Sequence, residues 1–337
     1  MNAEDGLRAG RDEDAAGFIA LISACWAEYP GCVFDLGGEV PELRALATYF
    51  AEKGGAIWVF EDGGRVAGMA GVSPSAQAGT WEICKMYVGR AMRGRGVAAA
   101  LLARAEGHAR RAGAERFELW SDTRFDRAHR FYEKHSFVRT GPIRALGDRS
   151  STIEFHFAKP IDGIAALDAA GASSAVRHLA DLLVACVDAG ASVSFLPPLA
   201  ADVARAFWVR MATEVAEGRR VLLAGWRDGV LAGTVTLDLG MPPNQPHRAE
   251  VQKLLVAPQA RRGGLARALM ARLEAVAGDA GRTLLTLDTR AEDAAERLYR
   301  TSGWTEAGRI PDFARNADGT LSATVLFWKR IGAGRGA

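Results

Sequence analysis

A chain of 337 residues, 49% hydrophobic and 24% charged, has a globular composition and the length of two ordinary domains. Its formal net charge of +2 gives no electrostatic case for nucleic acid or a membrane surface as partner. No segment approaches the roughly 20 apolar residues that span a bilayer, and the opening MNAEDGLRAGRDEDAAG has no apolar run of a secretory leader. Cys25, Cys32, Cys84 and Cys186 make no C-x-x-C pair and no zinc spacing with a histidine, so the expectation is a protein of the reducing cytoplasm that holds no metal. Only six of the 42 basic residues are lysines; beside so much alanine, this reads as genomic base composition rather than function.

In chain order, Leu7 to Ala9 reads as a short strand. Asp12 is placed to cap a helix with Phe18, Ile19, Ile22 and Trp26 on its inner face, broken by Tyr29-Pro30-Gly31. A second helix is expected from Pro41 to Lys53. Two strands flank Asp62-Gly63-Gly64 as a hairpin, Trp81 to Val88 is the next strand, and Val97 to Ala112 a helix. A strand from Phe117 to Ser121, a helix from Arg127 to Lys134 and two closing strands finish the first half. The second half repeats the order: strand 164–167, helices 175–189 and 201–217, a hairpin turning at Arg227-Asp228-Gly229, strand 250–256, a helix from Ala266, strand 283–287 and a helix carrying Tyr299. The expected domains are 1–159 and 160–331, with 332–337 a frayed tail.

The chain is organised around Glu250 to Ala266, E-V-Q-K-L-L-V-A-P-Q-A-R-R-G-G-L-A. Apolar β-formers end at Pro258, which has no N–H for a ladder. Then come Arg261, Arg262, Gly263, Gly264, Leu265 and Ala266, and a run with helical spacing at Leu269, Met270, Leu273 and Val276. Strand, basic glycine loop and helix together point backbone N–H groups and a helix dipole at one spot, which suits a phosphate. The glycines let a diphosphate approach the backbone. Residues 82 to 98, E-I-C-K-M-Y-V-G-R-A-M-R-G-R-G-V-A, are a second copy at constant spacing: Glu82, Lys85, Val88, Arg93, Gly96 and Ala98 match Glu250, Lys253, Val256, Arg261, Gly264 and Ala266.

Arg-x-x-Gly-x-Ala after such a strand resembles the acetyl-CoA motif of the GNAT N-acetyltransferase superfamily, so the chain resembles two GNAT domains in tandem. The resemblance implies an α/β fold in each half: a twisted mixed sheet, mostly antiparallel, with helices on both faces. It implies acetyl-CoA as cosubstrate, bound at Arg93, Gly94, Arg95, Gly96, Val97 and Ala98 and at residues 261–266. Backbone groups of Met86, Tyr87 and Val88, and of Leu254, Leu255 and Val256, would meet the pantetheine arm and thioester.

Transfer to an amine needs a neutral nucleophile from an ammonium of pKa about 10.4, a held oxyanion, and a proton for a thiolate of pKa about 8.5. Glu250 and Asp288 are placed to take the ammonium proton, and Tyr299, by its position in the family pattern, to protonate the sulfur. Glu82, Asp122 and Tyr132 are the parallel set. Two departures stand out. Phe125 and Glu292 occupy the place where many GNATs have Asn, and Ser136 precedes Phe137 where the second half has Gly303-Trp304. Activity is therefore expected more in the second half.

The second half further resembles tabtoxin-resistance acetyltransferases through Ser194-Phe195-Leu196-Pro197-Pro198, Pro243 to Glu250 and Leu287-Asp288-Thr289-Arg290. That implies a small amino-acid-like or antibiotic-like amine, with Arg248, His247 or Arg290 on its carboxylate. The alternatives are a half that only binds CoA or supports structure, and a tandem enzyme of the mycothiol-synthase kind. Nothing in the residues fixes the acceptor or the oligomeric state.

Overall fold

The computed structural model describes residues 6–332, so all of the expected tail but Gly332 lies outside the described residues. The chain divides into two compact units. Unit 1 runs to Tyr132 and again over Pro142–Ile161; unit 2 takes Glu133–Gly141 and the chain from Asp162 on. No helix among the described residues is long and apolar enough to cross a membrane.

The first half of the chain folds as β1 (Leu7–Ala9), α1 (Ala15–Trp26), α2 (Leu46–Glu52), β2 (Ala56–Asp62), β3 (Arg65–Pro74), β4 (Thr80–Val88), α3 (Val97–Arg111), β5 (Arg116–Asp122), α4 (Asp126–Lys134), β6 (Val138–Ala145) and β7 (Ile153–Pro160). The second half folds as β8 (Gly163–Ala166), α5 (Ala169–Ser174), α6 (Val176–Asp188), α7 (Ala201–Ala216), β9 (Arg220–Arg227), β10 (Val230–Asp238), β11 (Arg248–Val256), α8 (Leu265–Asp279), β12 (Leu284–Arg290), α9 (Ala294–Thr301), β13 (Thr305–Arg315) and β14 (Leu321–Arg330). The two seven-stranded sheets have the same order, β1-β2-β3-β4-β5-β7-β6 and β8-β9-β10-β11-β12-β14-β13. In each, one pair is parallel, β4 with β5 and β11 with β12.

The hairpins form where the turn residues demand it. Gly63 and Gly64 take φ 55° and 75°, and Asp228 and Gly229 take 54° and 71°. Left-handed backbone at both central residues matches the twist of the flanking strands. The helix after each glycine loop lies on the sheet through one stripe: Val97, Leu101 and Ala105 in α3, and Leu265, Leu269 and Leu273 in α8, all buried. Small residues beneath make that seat. A Cβ added at Gly233 would lie 3.0 Å from both the Leu265 and Leu269 methyls, and one at Gly68 would lie 3.0 Å from Leu101. The opposite face is covered by Phe18, Leu43 and Phe50 in unit 1 and by Leu179, Leu183 and Trp208 in unit 2.

Local expectations change at three places. Asp12 does not cap the helix that follows it. Its carboxylate instead accepts from the amides of Ala47 and Thr48 (2.8 and 3.1 Å) and from the Thr48 hydroxyl, so it caps α2. The helix expected from Pro41 begins as a 3-10 turn over Pro41–Ala45. The helix expected at 175–189 forms as α6, and an unexpected short helix, α5, precedes it, with Asp168 capping α5 through the Gly171 amide at 2.8 Å.

Candidate active site

The two glycine loops have nearly the same backbone. Gly96 and Gly264 sit left-handed at the N-caps of α3 and α8, with φ 82° and 80°. The first helical bonds run from the Ala100 amide to Gly96 O and from the Ala268 amide to Gly264 O, each 3.0 Å. Among the described residues, no acceptor within the chain takes the amides of residues 94–99 or 262–267. They form the unpaired start of a helix, where a dipole and free N–H groups favour an anion. A Cβ built at Gly264 meets nothing within 4 Å, so neighbouring side chains do not fill the space above it. The second left-handed position differs: Gly94 at φ 76° in unit 1, Arg262 at φ 65° in unit 2. In the Gly263-Gly264 pair only Gly264 takes up glycine's freedom, and Arg262 bears a conformation that costs a side-chain-bearing residue about 1–2 kcal/mol.

Beside each loop the parallel pair comes apart. Pairing of β11 with β12 ends at Glu250 and Thr286, and that of β4 with β5 at Glu82 and Glu118. Just beyond, one extra residue enters β11 against β10 and β4 against β3, at Lys253 with φ 54° and Lys85 with φ 50°. Such a bulge bends its strand away from its neighbour and opens the sheet.

In unit 2 the opening is a cavity of about 1190 Å³. Arg261, Arg262, Gly264, Leu265 and Ala266 line one end, Leu254, Leu255 and Val256 a wall, and Asp288 and Tyr299 also face it. Arg261 Nε donates to Val256 O at 3.2 Å, and no carboxylate among the described residues pairs with its fork. Asp288 is exposed, with Oδ2 accepting from the Thr324 hydroxyl at 2.9 Å. Tyr299 is 5% exposed, its ring 5.8 Å from Trp304 and 5.9 Å from Phe327. Burial, helped by the Asp288 charge, pushes its phenol well above the usual range, so it stays protonated. Glu250 is not on the lining. Gln252 Nε2 donates to it at 3.0 Å, and Arg248 lies 3.8 Å away. His247 and Arg248 also lie off the lining. Arg290 lines the cavity but donates to Gly190 O and to Asp293, each at 3.0 Å.

In unit 1 the corresponding cavity is about 130 Å³, roughly the room of four waters. Met86, Tyr87, Asp122 and Tyr132 line it, but Val88 and the loop residues 93–98 do not. Arg93 is fully engaged. Its fork grips Glu28 at 2.6 and 2.7 Å, and Nε donates to Val88 O at 2.9 Å. That grip holds the Glu28 carboxyl below the usual range. Phe125 stacks on Tyr29, centroids 4.5 Å apart. The Tyr87 hydroxyl accepts from Trp26 Nε1 at 3.0 Å. Tyr132, like Tyr299, is buried and held protonated. Burial, with the Glu118 and Glu154 charges, raises the Glu82 carboxyl.

The expected parallel between Asp122 and Asp288 does not hold in the sheets. Glu82 pairs with Glu118 as Glu250 pairs with Thr286; two residues on stand Trp120 and Asp288. Asp122 lies two residues further, 6% exposed and bound by Arg124, whose amide and Nε each donate to Oδ1 at 2.9 Å. Trp120 fills the place of Asp288, stacked 4.6 Å from His156 with Arg144 4.2 Å above it. The sequence reading also missed Glu28 and Thr324 as parts of these sites. The only trace in the residues was the matched Lys85 and Lys253, which mark the bulges. No group of three or more His, Cys, Asp or Glu among the described residues is placed to hold a metal ion.

The model of the acetyltransferase (GNAT) family matches residues 18–137 and 193–304, more than half of the chain. The chain belongs to the GNAT family. It carries two GNAT domains in tandem, and it is an acetyltransferase. An uncharacterized N-acetyltransferase in the hisH-hisA intergenic region of Azospirillum brasilense is 32% identical over 140 residues, covering 40% of this GNAT chain and 82% of its own. The uncharacterized N-acetyltransferase YjgM of Escherichia coli (strain K12) is 33% identical over 129 residues, with 37% and 77% covered. Among solved structures, yncA of Salmonella typhimurium, a putative acetyltransferase with its cofactor acetyl-CoA, is 17% identical over 52% of this chain and 96% of its own, TM-score 0.43. A GNAT acetyltransferase of Streptococcus pneumoniae is 18% identical over 50% and 99%, TM-score 0.42.

Proposed function

We propose that unit 2 moves an acetyl group from acetyl-CoA to the primary amine of a small molecule, and that unit 1 does not turn over. The observation that carries this is one continuous cavity joining the unit 2 glycine loop to Asp288 and Tyr299, against a small unit 1 cavity that its loop does not line. Residues 261–266 take the diphosphate, Leu254, Leu255 and Val256 the pantetheine arm. Asp288 accepts the ammonium proton, directly or through water. The neutral amine attacks the thioester carbonyl, and a backbone amide of the splayed β11 holds the oxyanion. The C–S bond breaks, the Tyr299 hydroxyl protonates the departing thiolate, and the phenolate takes up, directly or through water, the proton that the attacking nitrogen sheds as the amide forms. Glu250 acts only through a water relay beside Gln252. In unit 1, Glu82 and Tyr132 keep the positions without the cleft, and Asp122 serves structure. The working compartment we assign is the cytoplasm, where four free cysteines stay reduced.

The test is CoA release from acetyl-CoA across amino acids, polyamines, aminoglycosides and peptides, with calorimetry for stoichiometry. One acetyl-CoA per chain and amine-dependent thiol release support the proposal. Binding with no release for any amine makes the chain a CoA-binding module instead.

A further inference from the structure

The bulge that opens each sheet carries a lysine, and the two lysines differ in what they meet. Lys85 is neutralised by Glu42 at 2.7 Å. Lys253 lines the unit 2 cavity, half-buried, and among the described residues no carboxylate comes within ion-pairing distance. Its Nζ donates to the Ser194 hydroxyl at 3.2 Å and lies 5.6 Å from the Phe207 ring centre. Burial pulls its pKa down, partly offset by Asp288 and Glu250, so an arriving anion would relieve a desolvation cost already present. The backbone there is strained as well, a feature that concentrates at functional sites.

We propose that Lys253 Nζ and the Ser194 hydroxyl form the anion anchor of the acceptor site, and that the acceptor is an amine bearing its own carboxylate. This rests on the proposal for unit 2 above. A carboxylate fits better than a phosphate because the anchor is a single point charge with one hydroxyl. The other cations of the cavity are placed differently. Arg261, Arg262 and Arg267 belong to the loop and its helix, Arg290 is engaged by Asp293, and Arg315 is solvent-exposed. Lys253 and Asp288 in one cavity carry opposite charges, which suits the two ends of an amino acid.

The experiment compares amino acids with the amines left when their carboxylate is removed, using the full chain saturated with CoA for binding and acetyl-CoA for turnover. The carboxylated member of each pair is expected to bind and react better by about ten- to a hundredfold, the range for one charge-assisted hydrogen bond. Lys253→Met should erase most of that ratio, Ser194→Ala part of it, and Lys253→Arg should restore some. Methionine bears the same left-handed strain as lysine, and an unchanged thermal midpoint verifies folding. Equal use of both members, or a ratio unmoved by Lys253→Met, overturns the anchor while leaving acetyl transfer standing. Lys253-dependent binding of amino acids without any turnover keeps the anchor and sinks the enzymatic proposal. Neither binding nor turnover sinks both.

Discussion

Unit 1 and unit 2 share a sheet order, a bulge, a glycine at the helix cap and a buried tyrosine, yet only in unit 2 does the loop open into a large cavity. The difference comes from residues outside the shared motif. Glu28 takes the Arg93 fork, Tyr29 stacks on Phe125, and Trp120 stands in the place of Asp288. Unit 2 has Ala189 in the corresponding place near the end of its helix, and Arg261 has no acidic clamp. The glycine loop therefore reports backbone geometry, while the cleft is decided by side chains that arrive from distant parts of the chain.

The contrast breaks most readily at the loops. Gly264→Glu is expected to abolish acetyl-CoA binding and lower turnover by a hundredfold or more, on the order of a preorganised anion site, while Gly96→Glu leaves the binding stoichiometry at one. If Gly96→Glu instead takes calorimetric stoichiometry from two to one, unit 1 is a working CoA site. Next, Tyr299→Phe should lower kcat by about 100-fold, the lower range for a lost general acid, with acetyl-CoA affinity unchanged, and Tyr132→Phe should do nothing to kcat. Because burial raises the Tyr299 pKa, its protonated form persists as pH rises. The wild-type rate should then show no loss from this group up to its ordinary pKa of about 10, and a pH–rate profile checks it.

The two aspartates sharpen the comparison. Asp122→Asn should lower stability by about 1–3 kcal/mol, since Arg124 loses a partner in a mostly buried pair, and leave kcat alone. Asp288→Asn should do the reverse, and thermal melts with steady-state rates separate them. The smallest effect belongs to Glu28→Gln. Both members of that pair are partly exposed, so less than about 1 kcal/mol is at stake. Arg93 depresses the Glu28 pKa, so the contribution is present above the ordinary carboxylate range of about 4.3 and is lost as pH falls through the lower folded value. The melting difference between wild type and variant should shrink in acid.

Much of the fold was legible because it rests on local chemistry. Asp-Gly turns set the hairpins, a proline and two glycines marked the passage from strand to helix, and the duplication made each half a check on the other. What was not legible depends on pairing over long separations. The sequence reading set Asp122 parallel to Asp288, but strand register, fixed by Glu82 with Glu118 and Glu250 with Thr286, moves the true counterpart to Trp120. Arg262 and Lys253 take left-handed backbone that composition does not announce in residues with side chains. Asp12 caps a helix more than thirty residues away because the 3-10 turn that contains it ends beside α2. Glu28 reads as one more surface acid until the fold brings Arg93 to it.

Gly233 lies in the middle of β10 and off the cavity lining, yet it sets how closely α8 seats on the sheet. A methyl there would come within 3.1 Å of Leu255 O and 3.0 Å of two leucine methyls, so α8 would have to lift by a few tenths of an ångström. In the binding mode proposed above, the cosubstrate is gripped at two ends, diphosphate at the tip of α8 and thioester beside β11, so raising one end would shorten the reach at the other. Errors of about 1 Å in such alignment can cost a hundredfold in rate. The span of the acyl carrier is in this sense measured from the floor of the sheet, by an absent side chain.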